Sequence, residues 1–290
     1  MSYIKYQHVE KFGNCEVEGL VEGEVYVFPK IDGTNAQVWY NEGMHYGSRN
    51  RELSLENDNA GFMRWAIDQE KLDIAISRLP SGYRLYGEWL VPHSLKTYRE
   101  GAWREFYVFD VVNEDGDYMP YDVYQPILSL YGVECIPPLC VITNPTYEDI
   151  LRVVEENTYL ITEGTGEGVV LKRYGYTNKY GRTTWAKVVT TAFKDPHSNA
   201  PVTKGSDMVE EAISEMLSEE VIRKVYANIC SEMDGWSSKY IGRLLSTIWH
   251  DFIAEEMWNA IKKHKNPTIN FKLLNRFVMV RVKSVLVEVF

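Results

Sequence analysis

The stretch YVFPKIDGTNAQVWY, residues 26–40, sets Lys30, Asp32 and Gly33 between two runs of aromatic and β-branched residues. Such runs read as β-strands, and Asp-Gly between them reads as a tight turn. A lysine is thereby presented at the end of a strand with a turn directly behind it. Two readings are open: a solvated hairpin lysine, or a nucleophile held on a rigid platform. The Lys-x-Asp-Gly tetrad alone decides little, since chance places one in roughly one chain in fifteen of this length.

Similar runs recur outward from it: EVYVFPK (24–30), NAQVWY (35–40), YRLYGEWLV (83–91), EFYVFDVV (105–112), GEGVVLKR (166–173) and TTWAKVV (183–189). Helical patterns interrupt them near 58–78, 121–131 and 146–156, without regular strand–helix alternation. That pattern disfavours a doubly wound parallel sheet and predicts an α+β domain of mixed or antiparallel sheets. HSNAPVTKGS (197–206) reads as a linker. Beyond it the apolar period changes to that of a helix, with Val209, Ala212, Ile213, Met216 and Leu217 on one stripe and Ile241, Leu244, Leu245, Ile248, Trp249 and Phe252 on another. From Phe271 the valines suit a strand and the spacing suits a helix; we read a helix. The expected organisation is a domain over 1–200 and a small all-helical domain over 201–290.

Composition bounds the function. Apolar residues at 45% and charged residues at 25% suit a globular protein with a sizeable core. No apolar run reaches the length of a membrane span and the N-terminus has no signal-peptide core, so no membrane partner is expected. Cys15, Cys135, Cys140 and Cys230 form no Cys-x-x-Cys pair and are expected as reduced thiols of a cytoplasmic protein. The net charge of −10 argues against a nucleic-acid partner, but its distribution does not. Residues 1–200 hold 19 Lys and Arg against 29 Asp and Glu, whereas 201–290 hold 12 against 12. No acidic residue occurs between Met257 and Val287, where Lys262, Lys263, Lys265, Lys272, Arg276, Arg281 and Lys283 fall. A positive patch there can bind phosphates, because screening confines each charge to about 8–10 Å.

What distinguishes Lys30 is its company, in order along the chain: GSRN with Arg49, LYGEW with Glu88, FYVFD with Phe109 and Asp110, GEGVVLK with Glu167 and Lys172, and WAKVV with Lys187. These segments resemble the ordered motifs of covalent nucleotidyltransferases: ATP-dependent DNA ligases, RNA ligases and capping enzymes. KIDGTN and KVVTTAF, followed by helices rather than a β-barrel, most resemble the bacteriophage RNA ligase 2-like family. The resemblance spans residues 26 to about 195. It implies a nucleotidyltransferase (ATP-grasp-like ligase) fold and an ATP-dependent RNA ligase joining 5′-phosphate and 3′-hydroxyl ends through a lysyl-AMP intermediate. It also implies Mg2+ or Mn2+, RNA as partner to the helical domain, a monomer, and a phage-encoded RNA-repair role. An ATP-dependent DNA ligase, a capping guanylyltransferase, or a non-catalytic nucleic-acid-binding protein of the same fold are the alternatives. No Walker loop, Gly-x-Ser-x-Gly elbow or zinc signature points elsewhere.

The resemblance assigns roles. Lys30 is the nucleophile; an ordinary lysine has a pKa of about 10.4, leaving about one in 2,500 neutral at pH 7, so nearby cations are called for. Lys187, Lys172, Arg49 and a divalent metal are the candidates. Asp32 and Gly33 fit the turn behind the lysine, and equally any β-turn. Asn35 falls where the family contacts nucleotide or metal-bound water, although a polar residue at a strand start is unremarkable. Arg49 would hold ribose and phosphates. Glu88, on an otherwise apolar strand, needs a partner if buried, and a ribose hydroxyl or metal-bound water would serve. Phe109 would stack on adenine or simply fill the core. Glu167, between glycines that let a ligand approach, would bind metal water near the α-phosphate. Lys187 would neutralise phosphate charge. The family's second lysine, two residues further on, is here Val189, and Lys172 or Lys194 is expected to replace its charge.

Overall fold

The computed structural model describes residues 3–92, 98–189 and 209–290. The chain divides into two compact units, Met1–Thr190 and Thr191–Phe290. The expected linker at 197–206 and Lys194 lie outside the described residues.

Among the described residues of the first unit, nine strands form two sheets. One holds β1 (Glu10–Lys11), β9 (Ala186–Val189), β8 (Gly168–Lys172), β2 (Glu24–Lys30) and β7 (Cys140–Thr143), in that order. The second holds β4 (Met44–Ser48), β3 (Thr34–Tyr40), β5 (Arg84–Leu90) and β6 (Glu105–Val112). All the pairings between these strands are antiparallel except β1 with β9. The β2–β3 connection is therefore not a hairpin: β2 ends in one sheet and β3 begins in the other. The alternating pattern of residues 26–40 reports two strands but says nothing about which neighbours they take, so the hairpin reading of Lys30 is corrected. Residues 31–33 cross between the sheets.

Each sheet buries one face against helices. Ala36, Val38, Leu85, Trp89, Phe106 and Val108 pack on α1 (Phe62–Ile67) and α2 (Glu70–Arg78) through Phe62, Ala66, Leu72, Ala75 and Ile76. The pattern at 58–78 is thus two helices, α1 ending at Asp68. On the first sheet, α4 (Tyr147–Glu156) packs against β8, its N-terminus fixed by a Thr146–Asp149 capping box. The remaining faces of the two sheets look at each other, with Phe28 and Val170 of one meeting Leu90 and Tyr107 of the other in a shared cluster. α3 (Tyr121–Leu130) adds Tyr124 and Leu128 to the core.

The second unit is helical: α5 (Val209–Ser214), α6 (Glu219–Glu232), α7 (Ile241–Lys263) and α8 (Phe271–Val285). Ile213, Leu217, Ile222, Ile229, Leu244, Ile248 and Phe252 form its core with Leu274, Val278 and Val282. Those last three recur every fourth residue, one face of a helix, which is why the valine-rich segment from Phe271 folds as a helix rather than a strand. Asn270 caps it by accepting from the backbone N–H groups of Lys272 and Leu273.

Candidate active site

Strand register aligns the motif residues within each sheet, and Lys30, Glu88 and Glu167 come together at a mouth between the sheets. Asn35 on β3 lies opposite Glu88 on β5, which lies opposite Tyr107 on β6. Ala36 pairs with Ser48, so Arg49, one step past the end of β4, falls level with Asn35. On the facing sheet Lys30 pairs with Gly168, and Gly168 with Val189. Residues two apart share a face of a strand, so Lys30, Lys172, Lys187 and Val189 all belong to one face.

Lys30 is partly exposed and donates from Nζ to Glu167 Oε2 at 2.7 Å. Glu88 lies close enough for its carboxyl to feel the Lys30 charge. Glu167 is held by its flanks. The Asn157 side chain, buried, donates to Gly168 O at 2.7 Å, and Gly166 N–H donates to Asn157 O at 2.6 Å. A Cβ on Gly168 would come within 2.0 Å of Val188 O, and one on Gly166 within 2.5 Å of Asn157 Nδ2. Close strand packing therefore requires glycine at 168, while a side chain at 166 would displace the Asn157 amide.

The crossover is tied down on both sides. Asp32, buried, donates its N–H to Tyr98 Oη at 2.7 Å. Gly33 N–H donates to Glu88 Oε1 at 3.0 Å, and a Cβ on Gly33 would meet Trp89 O at 2.5 Å. Only glycine lets the chain pass this close to β5. Burial lifts the Glu88 carboxyl to about 7, Glu167 and Asp32 adding to the rise and Lys30 and the Gly33 N–H opposing it. Beside Glu88, Asn35 Oδ1 is buried and accepts no hydrogen bond.

Phe109 owes its position to a β-bulge. Tyr86 pairs with Asp110 while Gly87 pairs with Val108, leaving Phe109 as the extra residue of β6. Its carbonyl, out of the ladder, accepts from Lys172 Nζ at 2.6 Å and Tyr124 Oη at 3.2 Å. Lys172 is 2% exposed and its ammonium is 2.8 Å from Asp110 Oδ1, under the rings of Phe28 and Phe109. Burial lowers the Lys172 pKa and raises that of Asp110, each partner opposing the other's shift. The expectation of Lys172 as a phosphate cation replacing the missing second lysine is corrected: its charge is neutralised by Asp110. Lys194, the other candidate, is outside the described residues. Lys187 is partly exposed on β9, and Val189 faces Lys30 across the side-chain-free Gly168.

Arg49 is exposed, and its guanidinium lies 3.3 Å from His8 Nδ1. Sequence reasoning missed Tyr6, His8, Tyr98 and Asn157. The Asn157–Gly166 spacing carries no signature, and Tyr6 and His8 lie far upstream of the motif residues they contact.

Among the described residues no three His, Cys, Asp or Glu side chains form a ready metal centre. The donors at the mouth are oxygens, namely Glu88, Glu167 and the unpaired Asn35 Oδ1, the set that hard Mg2+ or Mn2+ takes together with water and phosphate. The residues thus fit a cation that arrives with a triphosphate and keeps its waters.

The model of the RNA ligase family matches residues 23–189. Solved structures similar to the chain include Naegleria gruberi RNA ligase as an alanine mutant with ATP and Mn, as a complex with PPi, and as a lysine-to-methionine mutant with AMP and Mn. Identities are 21%, 22% and 21%, with TM-scores of 0.53, 0.52 and 0.53. Each match covers 67% of this chain and 58% of the other, so the likeness is one of fold and spans little more than half of those proteins. No curated protein matches the chain. With more than half of its length, including every motif from Lys30 to Val189, inside the family match, the chain belongs to the RNA ligase family.

Proposed function

We propose that the chain is an ATP-dependent RNA ligase with Lys30 as its nucleophile. The observation that carries this reading is the convergence of Lys30, Glu167, Glu88 and the unpaired Asn35 Oδ1 at the mouth between the sheets. Lys30 Nζ attacks the α-phosphorus of ATP, forming a P–N bond as the bond to pyrophosphate breaks, and the amine gives up its proton. An RNA 5′-phosphate oxygen then displaces Lys30 from the AMP. A 3′-hydroxyl attacks that 5′-phosphate, closing the phosphodiester and releasing AMP. A divalent cation supplies Lewis-acid neutralisation of the phosphates when bound, with Glu88 and Glu167 holding it through water.

Each remaining residue has a task in this scheme. Glu167 holds the Lys30 amine in place through their hydrogen bond. Phe109, turned out of the ladder by its bulge, stacks on adenine. Arg49 and Lys187 bind phosphate, and Asp32 and Gly33 fix the crossover. Residues 1–200 perform adenylyl transfer and residues 201–290 bind RNA through the cations of 262–283. RNA-end repair in a phage-infected cell is the setting that the resemblance implies.

The test is incubation with labelled ATP and Mg2+, followed by a panel of nicks built from RNA and DNA strands. Sealing of RNA ends through an AMP–protein adduct is expected. Labelling by GTP as strong as by ATP would favour a capping-type enzyme, and sealing confined to DNA would favour a DNA ligase.

A further inference from the structure

The residues before the family match, 3–12, touch three of the site's elements. Tyr3 Oη donates to the Arg49 carbonyl, and Tyr86 Oη donates to Ile4 O at 3.1 Å. His8 Nδ1 lies 3.3 Å from Arg49 Nη2, within reach to accept from the guanidinium. The buried Tyr6 hydroxyl donates to Asp110 Oδ2 at 2.5 Å, and its ring lies 5.0 Å from that of Phe109. Glu10–Lys11 then pair in parallel with Ala186–Lys187, and Phe12 N–H donates to Lys187 O at 3.0 Å.

We propose that residues 3–12 are a working part of the nucleotide site, a strap on which Tyr6 positions the adenine-stacking Phe109 and His8 aims Arg49 at the phosphates. The inference rests on the adenylyl-transfer reading above. Tyr6 completes the Asp110–Lys172 pair, and that pair holds the bulged Phe109 carbonyl. His8 gives the exposed Arg49 guanidinium a fixed acceptor, reducing what ATP must order on binding.

The test compares wild type, Tyr6→Phe, His8→Ala and His8→Asn as full-length protein, measuring adenylylation over a range of ATP concentrations together with thermal unfolding. Tyr6→Phe and His8→Ala should each raise the KM for ATP about three- to tenfold, with the rate at saturating ATP changed less than about twofold, the signature of lost ground-state binding. His8→Asn puts an amide oxygen where Nδ1 accepts and should restore most of the affinity. A KM unchanged in both Tyr6→Phe and His8→Ala, whatever happens to the unfolding temperature, would overturn the strap. So would His8→Asn behaving like His8→Ala. Failure of the wild type to form the adduct would instead sink the adenylyl-transfer reading.

Discussion

Lys172→Met removes the ammonium from a pair in which both partners are buried, Lys172 at 2% exposure and Asp110 at 0%. Taking one partner from a buried pair costs about 3–5 kcal/mol, because the other charge is left uncompensated. Here the lower end applies. Tyr6 Oη still donates to Asp110 and Tyr124 Oη still reaches the Phe109 carbonyl. For a unit of this size each kcal/mol moves the midpoint by about 2–4 °C, so a drop of about 6–12 °C is expected. Replacing both members by apolar residues, Lys172→Met with Asp110→Leu, removes the stranded carboxylate and should regain most of that loss. Circular dichroism melts of the two single variants and the double variant measure the coupling directly. A Lys172→Met protein that melts with the wild type would refute the placement of Lys172 as a structural partner of Asp110 and return it to the list of free cations.

Three further outcomes are expected. Gly168 puts no side chain between Lys30 and position 189, with backbones about 10 Å apart across two strand spacings. An ammonium introduced by Val189→Lys falls on the face that carries Lys30, and two unit charges at an illustrative ~6 Å attract by about 1–3 kcal/mol. Single-turnover adenylylation should speed up about three- to tenfold, since only the part that grows in the transition state counts; a slower reaction would show that the site is not undercharged. Glu88, raised to about 7 by burial, favours folding fully below its unfolded pKa near 4.5, and this contribution is lost as pH rises through 7. The ligand-free wild type should therefore lose melting temperature relative to Glu88→Gln between about pH 5 and 8, and parallel curves would contradict the shift. Charge reversal at Lys262, Lys263 and Lys265 should flatten the salt dependence of RNA binding, by roughly 0.7–0.9 in log–log slope per lost phosphate contact, and leave adduct formation intact. An unchanged slope would remove these lysines from the RNA contact.

Residues that announce themselves by type and spacing were legible from the sequence. The EVYVFPK and EFYVFDVV runs fold as β2 and β6, and Lys30 and Glu167, 137 residues apart, meet at 2.7 Å. Pairing partners were not legible. A period of two marks a strand but not its neighbour, so the crossover at residues 31–33 looked like a hairpin. The bulge at Phe109 was equally hidden, since an unpaired residue is defined by its partner strand. Lys172 looked like any other lysine until Asp110 was seen beside it. Nothing in MSYIKYQHVEKFG marks Tyr6 as the donor to a buried aspartate 104 residues away. Local pattern encodes elements and candidate site residues, whereas the supports that hold them come from register.

The most direct test of the central claim is acid-stable labelling by ATP carrying its label on the α-phosphate, with the site of attachment mapped by peptide mass spectrometry. The wild type with Mg2+ should carry one AMP on Lys30. Lys30→Ala should carry none while its circular dichroism spectrum matches the wild type. Label at the wild-type level in Lys30→Ala, or wild-type label mapping to a different lysine, would contradict the account.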